Sequence, residues 1–128
     1  MLGAMMLNKI KKANDNRDGV NRLMALGLTK RAARIFAERL TNACKKSGCT
    51  AQQKETVNTV AAQIIARGRA TDDDIRTLVE NCPYLAHQIM AFHGYAHRAL
   101  VRHAAAGRYT SDKFINAVMH RIKCAALT

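Results

Sequence analysis

The chain has 128 residues, of which 48% are hydrophobic, so it can bury one core and is too apolar for wholesale disorder. Its formal charge of +12 at pH 7 is unevenly distributed. Residues 1–47 contain eleven Lys and Arg against three Asp and Glu, residues 48–97 four against five, and residues 98–128 six against one. Two basic ends around a nearly neutral middle predict a polyanionic partner, of which nucleic acid is the commonest.

Hydropathy and cysteine content predict the cellular setting. The sequence contains no apolar run long enough to span a bilayer, and its apolar start is followed rather than preceded by lysines, unlike a secretory signal. Without a signal, the four cysteines are interpreted as reduced thiols: Cys44, Cys49, Cys82 and Cys124. We expect a cytoplasmic protein with no membrane partner.

Glycine and threonine mark the ends of the predicted helices. Four times a glycine, which accepts the left-handed conformation that closes a helix, is followed by a threonine that can cap the next one. These pairs are Gly27/Thr29, Gly48/Thr50, Gly68/Thr71 and Gly107/Thr110. The helical spacing of apolar residues, with no competing strand pattern, predicts an all-α, single-domain bundle over residues 1–128 with about six to seven helices.

In chain order, the predicted helices cover about 2–13, 18–26, 29–47, 50–67, 71–81, 83–106 and 110 or 111 onward. The helix over about 83–106 begins at Pro83 and is apolar around most of its circumference. Such a helix usually has neighbours on several sides, so we expect it to be long and central.

The first two predicted helices are short and basic. Lys11 and Lys12 lie in the first and extend the positive field of the N-terminal third. The second is joined to the third by Leu26-Gly27-Leu28-Thr29, which resembles the turn of a helix-turn-helix. However, Leu23 stands where a small residue lets two such helices approach, and Arg22 where an apolar residue is expected. These departures favour a plain helical hairpin.

The helix over 29–47 carries the main functional prediction, because its polar half is basic and contains a single acid, Glu38. Cations at this spacing can follow a phosphate backbone. The alternative is an ordinary solvated face, but such faces usually intersperse acids among the cations. We predict nucleic-acid contacts from five residues of this helix: Lys30, Arg31, Arg34, Lys45 and Lys46.

A second basic cluster lies towards the C-terminus. On the predicted long helix, Arg98 and Arg102 share a polar edge with His87 and Tyr95. Arginine beside tyrosine can hold backbone phosphate and stack an unpaired base. The alternative is an edge that packs on a neighbouring helix. We predict a second nucleic-acid contact at Arg98 and Arg102.

Two residue pairs have the spacing of zinc ligands, Cys44-x4-Cys49 and His93-x3-His97. Because 43 residues separate the pairs, ordinary buried thiols and imidazoles are favoured, and whether the pairs meet is left open. The sequence also lacks a specific catalytic constellation. We therefore predict no enzyme activity, cofactor or metal; a small nuclease using His93, His97 or His103 is the weakest alternative.

The sequence predicts a non-catalytic, basic nucleic-acid-binding protein that contacts mainly the phosphate backbone of DNA or RNA. In a larger nucleoprotein complex, the neutral middle would contact protein subunits while the basic ends contact nucleic acid. The alternative is a protein-interaction module, an inhibitor or adaptor that binds an acidic protein partner. The same distribution of charge serves both hypotheses.

Overall fold

The computed structural model describes residues 19–120, and every described element is a helix. The helices are α1 over residues 19–25, α2 Lys30–Ser47, α3 Ala51–Arg67, α4 Asp72–Asn81, α5 Pro83–His93, α6 His97–Ala105 and α7 Ser111–Met119. The predicted all-α bundle of six to seven helices is confirmed. The helix predicted over about 2–13, with Lys11 and Lys12, lies outside the described residues, as does Cys124.

Threonine caps begin the helices at the predicted places. The Thr50 hydroxyl accepts from the Gln53 N–H at 3.1 Å, and the Gln53 side chain accepts from the Thr50 N–H at 2.9 Å. Thr71 and Asp74 form the same reciprocal pair at the start of α4. Asp74 also accepts from Arg67 at 2.7 Å, so this carboxylate joins the end of α3 to the start of α4. Each cap satisfies backbone donors that a helix start otherwise leaves unpaired.

The prediction of one long helix over about 83–106 is wrong, because the chain breaks at Gly94. This glycine is left-handed, with φ 69° and ψ 28°, and its N–H closes α5 by donating to the carbonyls of Met90 and Ala91. The Tyr95 N–H donates to the Met90 carbonyl at 2.9 Å, and Ala96 is extended before α6 begins. A left-handed glycine followed by an extended residue ends a helix, although the apolar pattern continues through it.

The described helices share one hydrophobic core. Helix α2 packs against α5 and α7, while α4 packs against α3, α5 and α6. Phe36 of α2 and Phe114 of α7 are fully buried and meet edge to face, with ring centroids 5.9 Å apart. The inner face of α2 therefore anchors the helix in the core, and its outer face is left for solvent. Among residues 19–120, no helix is both long and apolar enough to cross a bilayer.

Candidate functional site

Four cations lie along the outer face of α2: Lys30, Arg31, Arg34 and Lys45, here called the basic stripe. All four are exposed. From Lys30 to Lys45 the stripe extends about 22 Å along the helix axis. Within the described residues, no carboxylate lies within 4.0 Å of any of these side-chain nitrogens. The stripe therefore has no described ion-pair partner, although the exposed carboxylate of Glu38 lies on the same face and lines the surface beside Lys30 and Arg34.

A groove of about 760 Å³ runs between α1 and α2 beside the stripe. Lys30, Arg34 and Lys45 line it together with apolar side chains, including Val20 and Met24. Met24 is 39% exposed, and within residues 19–120 only one other large hydrophobic side chain, Tyr84, is exposed to a similar extent. Cations next to apolar surface suit a ligand that is both anionic and partly apolar, such as a nucleotide chain with its phosphates, sugars and bases.

Lys46 does not belong to the stripe, although the sequence places it in the same basic half of the helix. It lies about 100° around the axis from Lys45, on the side that faces α5. Its Nζ donates to the Tyr84 hydroxyl at 3.1 Å and lies 5.0 Å from the centroid of the tyrosine ring. Lys46 therefore forms a contact within the protein between the end of α2 and the start of α5.

Arg98 and Arg102 are exposed on α6 and form no salt bridge to a described residue. The sequence predicted that these arginines share one helix edge with His87 and Tyr95. They do not, because His87 belongs to α5 and Tyr95 lies in the link between α5 and α6. Helix α6 packs on α4, whereas α2 packs on α5 and α7. The two arginines remain predicted phosphate contacts on a surface separate from the stripe.

Tyr95 is not the stacking platform that the sequence predicts. Its ring stacks with His103, with centroids 4.6 Å apart and planes 16° apart, and with His93 at 5.2 Å and 21°. A ring already stacked with two imidazoles lacks the free face that an unpaired base requires. The predicted second contact therefore rests on Arg98 and Arg102, and it stays a prediction.

His93, a partly buried member of this stack, also pairs with the buried Tyr109. Tyr109 is fully buried, and its hydroxyl lies 2.9 Å from His93 Nε2. Burial raises the pKa of Tyr109, so its hydroxyl stays protonated at neutral pH. Burial also lowers the pKa of His93 below its ordinary value of 6.5, and a hydrogen bond to the Lys113 backbone opposes this shift only in part. These surroundings therefore favour the neutral form of the His93 imidazole.

Acid is expected to destabilise the protein through His93. Below pH 6.5 the unfolded chain binds a proton at this residue that the folded chain resists, so the free energy of unfolding should fall from pH 7 towards pH 5. Urea unfolding across this pH range measures the effect. The variant His93→Gln should show a shallower fall than the wild type, whereas His87→Gln, at an exposed site, should not. An identical pH dependence in His93→Gln would contradict the assignment.

Three cysteines form a cluster that sequence reasoning missed. The sulfurs of Cys44, Cys49 and Cys82 all lie within 4.8 Å of one another. The sequence left open whether Cys44 and Cys49 meet His93 and His97, but the structure places Cys82 beside them instead. His93 is paired with Tyr109, and His97 is exposed. The sequence indicates only that Cys82 lies directly between two helices. It does not indicate which cysteines Cys82 contacts, because Cys44 and Cys49 are remote along the chain.

Neighbouring hydrogen bonds make the three thiols unequal. Hydrogen bonding from the Cys44 thiol lowers the pKa of Cys82, and the Ser47 hydroxyl and the Leu85 backbone N–H act in the same direction. Hydrogen bonding to Cys82 and burial raise the pKa of Cys44, while burial chiefly raises the pKa of Cys49. Cys82 is therefore the first thiol of the cluster to lose its proton.

No known protein family, curated protein or solved structure matches this chain. Its function is therefore inferred from its own residues and their geometry.

Proposed function

We propose that this protein is a non-catalytic nucleic-acid-binding protein that contacts the phosphate backbone through the basic stripe on α2. The observation that carries the proposal is the stripe itself. Its four cations are exposed on one helix face, and no described carboxylate lies within salt-bridge distance of them. Burial of the opposite face of α2 in the core holds this charge on a rigid element.

The dimensions and charge of the stripe fit a polyphosphate. Its length of about 22 Å corresponds to the rise of about six base pairs, at about 3.4 Å for each phosphate of one strand. Each cation that meets a phosphate releases a condensed counterion, which favours binding without reading sequence. Thr41 and Asn42 lie on the same side of the groove and offer hydrogen bonds to phosphate or sugar oxygens.

The rest of the chain fits the same proposal. Arg98 and Arg102 provide a second cationic surface on α6. The nearly neutral residues 48–97, which include α3 and α4, leave a surface for protein subunits of a nucleoprotein complex. The ligand is DNA or RNA, because phosphate contacts alone do not distinguish them.

Fluorescence anisotropy with labelled duplex DNA, single-stranded DNA, RNA and polyglutamate tests the ligand class. We expect at least one nucleic acid to bind at physiological salt with a dissociation constant of about 10⁻⁴ to 10⁻⁶ M or lower. Polyglutamate carries charge without phosphates, so it should bind more weakly. Equal or tighter binding of polyglutamate, or no binding of any nucleic acid, would favour an acidic protein partner instead.

A further inference from the structure

We propose that Cys44, Cys49 and Cys82 bind a zinc ion as a three-thiolate site, which ties the turn between α2 and α3 to the junction between α4 and α5. This site is independent of the basic stripe. It revises the expectation from sequence, which favoured ordinary buried thiols and no metal.

The sulfur positions are close to those that a zinc ion requires. All three Sγ atoms lie within 4.8 Å of one another. In a tetrahedral site with Zn–S bonds of about 2.3 Å, two sulfurs are about 3.8 Å apart. Rotation of the cysteine side chains by a small amount therefore brings the three sulfurs onto one ion. A single buried thiol behaves as a small apolar group, but three thiols that face one another form a set of ligands.

Rigid backbone holds each of the three cysteines. Cys44 lies in the last turn of α2, and Cys49 follows the left-handed Gly48 that closes this helix. The Cys49 N–H donates to the Cys44 carbonyl at 2.9 Å. The chain therefore turns back between these two cysteines, and their sulfurs lie close together. Cys82 is fixed between α4 and α5, immediately before Pro83. A site built on helix ends is largely formed before the ion arrives.

The surroundings favour a thiolate at Cys82, whereas Cys49 would give up the hydrogen bond that its thiol donates to the Asn81 carbonyl at 3.1 Å. The Cys82 thiol donates to the Ser47 hydroxyl at 3.4 Å, and this hydroxyl can donate in return once the thiol has lost its proton. Donors of this kind orient and stabilise metal-bound thiolates. Three thiolates and one Zn²⁺ carry a net charge of −1. The N-terminus of α5 lies at Cys82, and Lys46 reaches Tyr84 two residues further on, so positive charge is close to the site.

Zinc binding requires only that the cysteine thiols lose their protons. Each thiol that bonds to zinc releases one proton to solvent, and no oxidant or reductant is needed. Cys49 is partly exposed, whereas Cys44 and Cys82 are buried. The fourth position on the ion therefore faces solvent on the Cys49 side, where water completes the tetrahedron. A disulfide would join only two of the three sulfurs and would need an oxidant.

Cobalt titration of the full-length, reduced, chelator-treated protein tests this proposal, because Co²⁺ in a tetrahedral thiolate site has intense visible and charge-transfer bands. We expect these bands to saturate at one equivalent of Co²⁺ and to disappear when Zn²⁺ displaces it. Zinc should also raise the melting temperature of the protein. A folded, reduced protein that shows no thiolate bands at one equivalent would overturn the proposal.

Single cysteine variants locate the site. Cys49→Ser and Cys82→Ser should weaken zinc binding by more than about 100-fold, since loss of an outer hydrogen-bond partner alone typically costs about 10–100-fold. Cys49 is the more informative position because its partial exposure makes the variant easier to fold. Cys124→Ser, which changes a cysteine outside the described residues, should keep the bands. Bands that survive in Cys49→Ser and are lost in Cys124→Ser would refute the assignment.

Discussion

Replacing Arg31, Arg34 and Lys45 with glutamate is expected to abolish nucleic-acid binding at physiological salt while leaving the helical circular-dichroism spectrum unchanged. All three side chains are exposed on α2, so the fold does not depend on them. Each charge-assisted hydrogen bond to phosphate is worth about 1.5–3 kcal/mol, so the loss of three contacts should weaken binding by more than about a thousand-fold. The introduced carboxylates also repel the phosphate backbone. Anisotropy titration of the variant measures the loss.

A charge-matched variant separates the stripe from net charge. Replacing Lys54, Arg69 and Arg108 with glutamate changes the formal charge by the same amount, at three cations outside the stripe and apart from Arg98 and Arg102. Among the described residues, none of these three forms a salt bridge. If the stripe carries binding, this control should lose far less affinity than the stripe variant. Equal losses, or an unchanged affinity in the stripe variant, would contradict the proposed interface.

Replacing Phe36 with alanine is expected to lower the free energy of unfolding by about 3–5 kcal/mol. Phe36 is fully buried on the inner face of α2 and packs edge to face with Phe114 of α7. Removing the ring takes away its burial and leaves a cavity that the neighbouring helices fill only in part. Because small domains are stable by about 5–15 kcal/mol, the loss is a large fraction of the total. Urea denaturation measures it.

Phe92→Ala provides the matched control, because the same atoms are removed at a half-buried site. Phe92 lies on α5 and contacts the rings of His93 and His120. Its replacement should cost clearly less than that of Phe36, since less apolar surface is lost from the core. Equal costs would mean that the inner face of α2 is not the anchor that holds the stripe in place.

The helix boundaries that sequence predicted correctly are those where local chemistry decides. Thr50 with Gln53, and Thr71 with Asp74, have the spacing of reciprocal caps, and both pairs form. Gly48 and Gly68 end their helices in the left-handed conformation, as the sequence indicates. Each of these helix ends depends on only a few neighbouring residues, so it can be predicted from the local sequence.

The predictions that failed depend on weaker or more distant signals. Gly94 ends α5 without a following threonine, and α6 begins after Ala96 with no side-chain cap, so the apolar pattern hides the break. That break moves Tyr95 off the helix that carries Arg98 and Arg102. Cys82 meets the other two thiols only because α5 packs on α2. A contact between remote segments cannot be derived from spacing.

The salt dependence of binding tests the proposed interface most directly. For wild-type protein on duplex DNA, the logarithm of the binding constant should fall linearly with the logarithm of salt, by about 0.9 for each phosphate neutralised. Arg34→Ala should make this slope shallower by about one unit and weaken binding to all sequences alike, whereas Lys54→Ala should change neither. Wild-type binding that is insensitive to salt, or an unchanged slope in Arg34→Ala, would contradict a phosphate-directed stripe on α2.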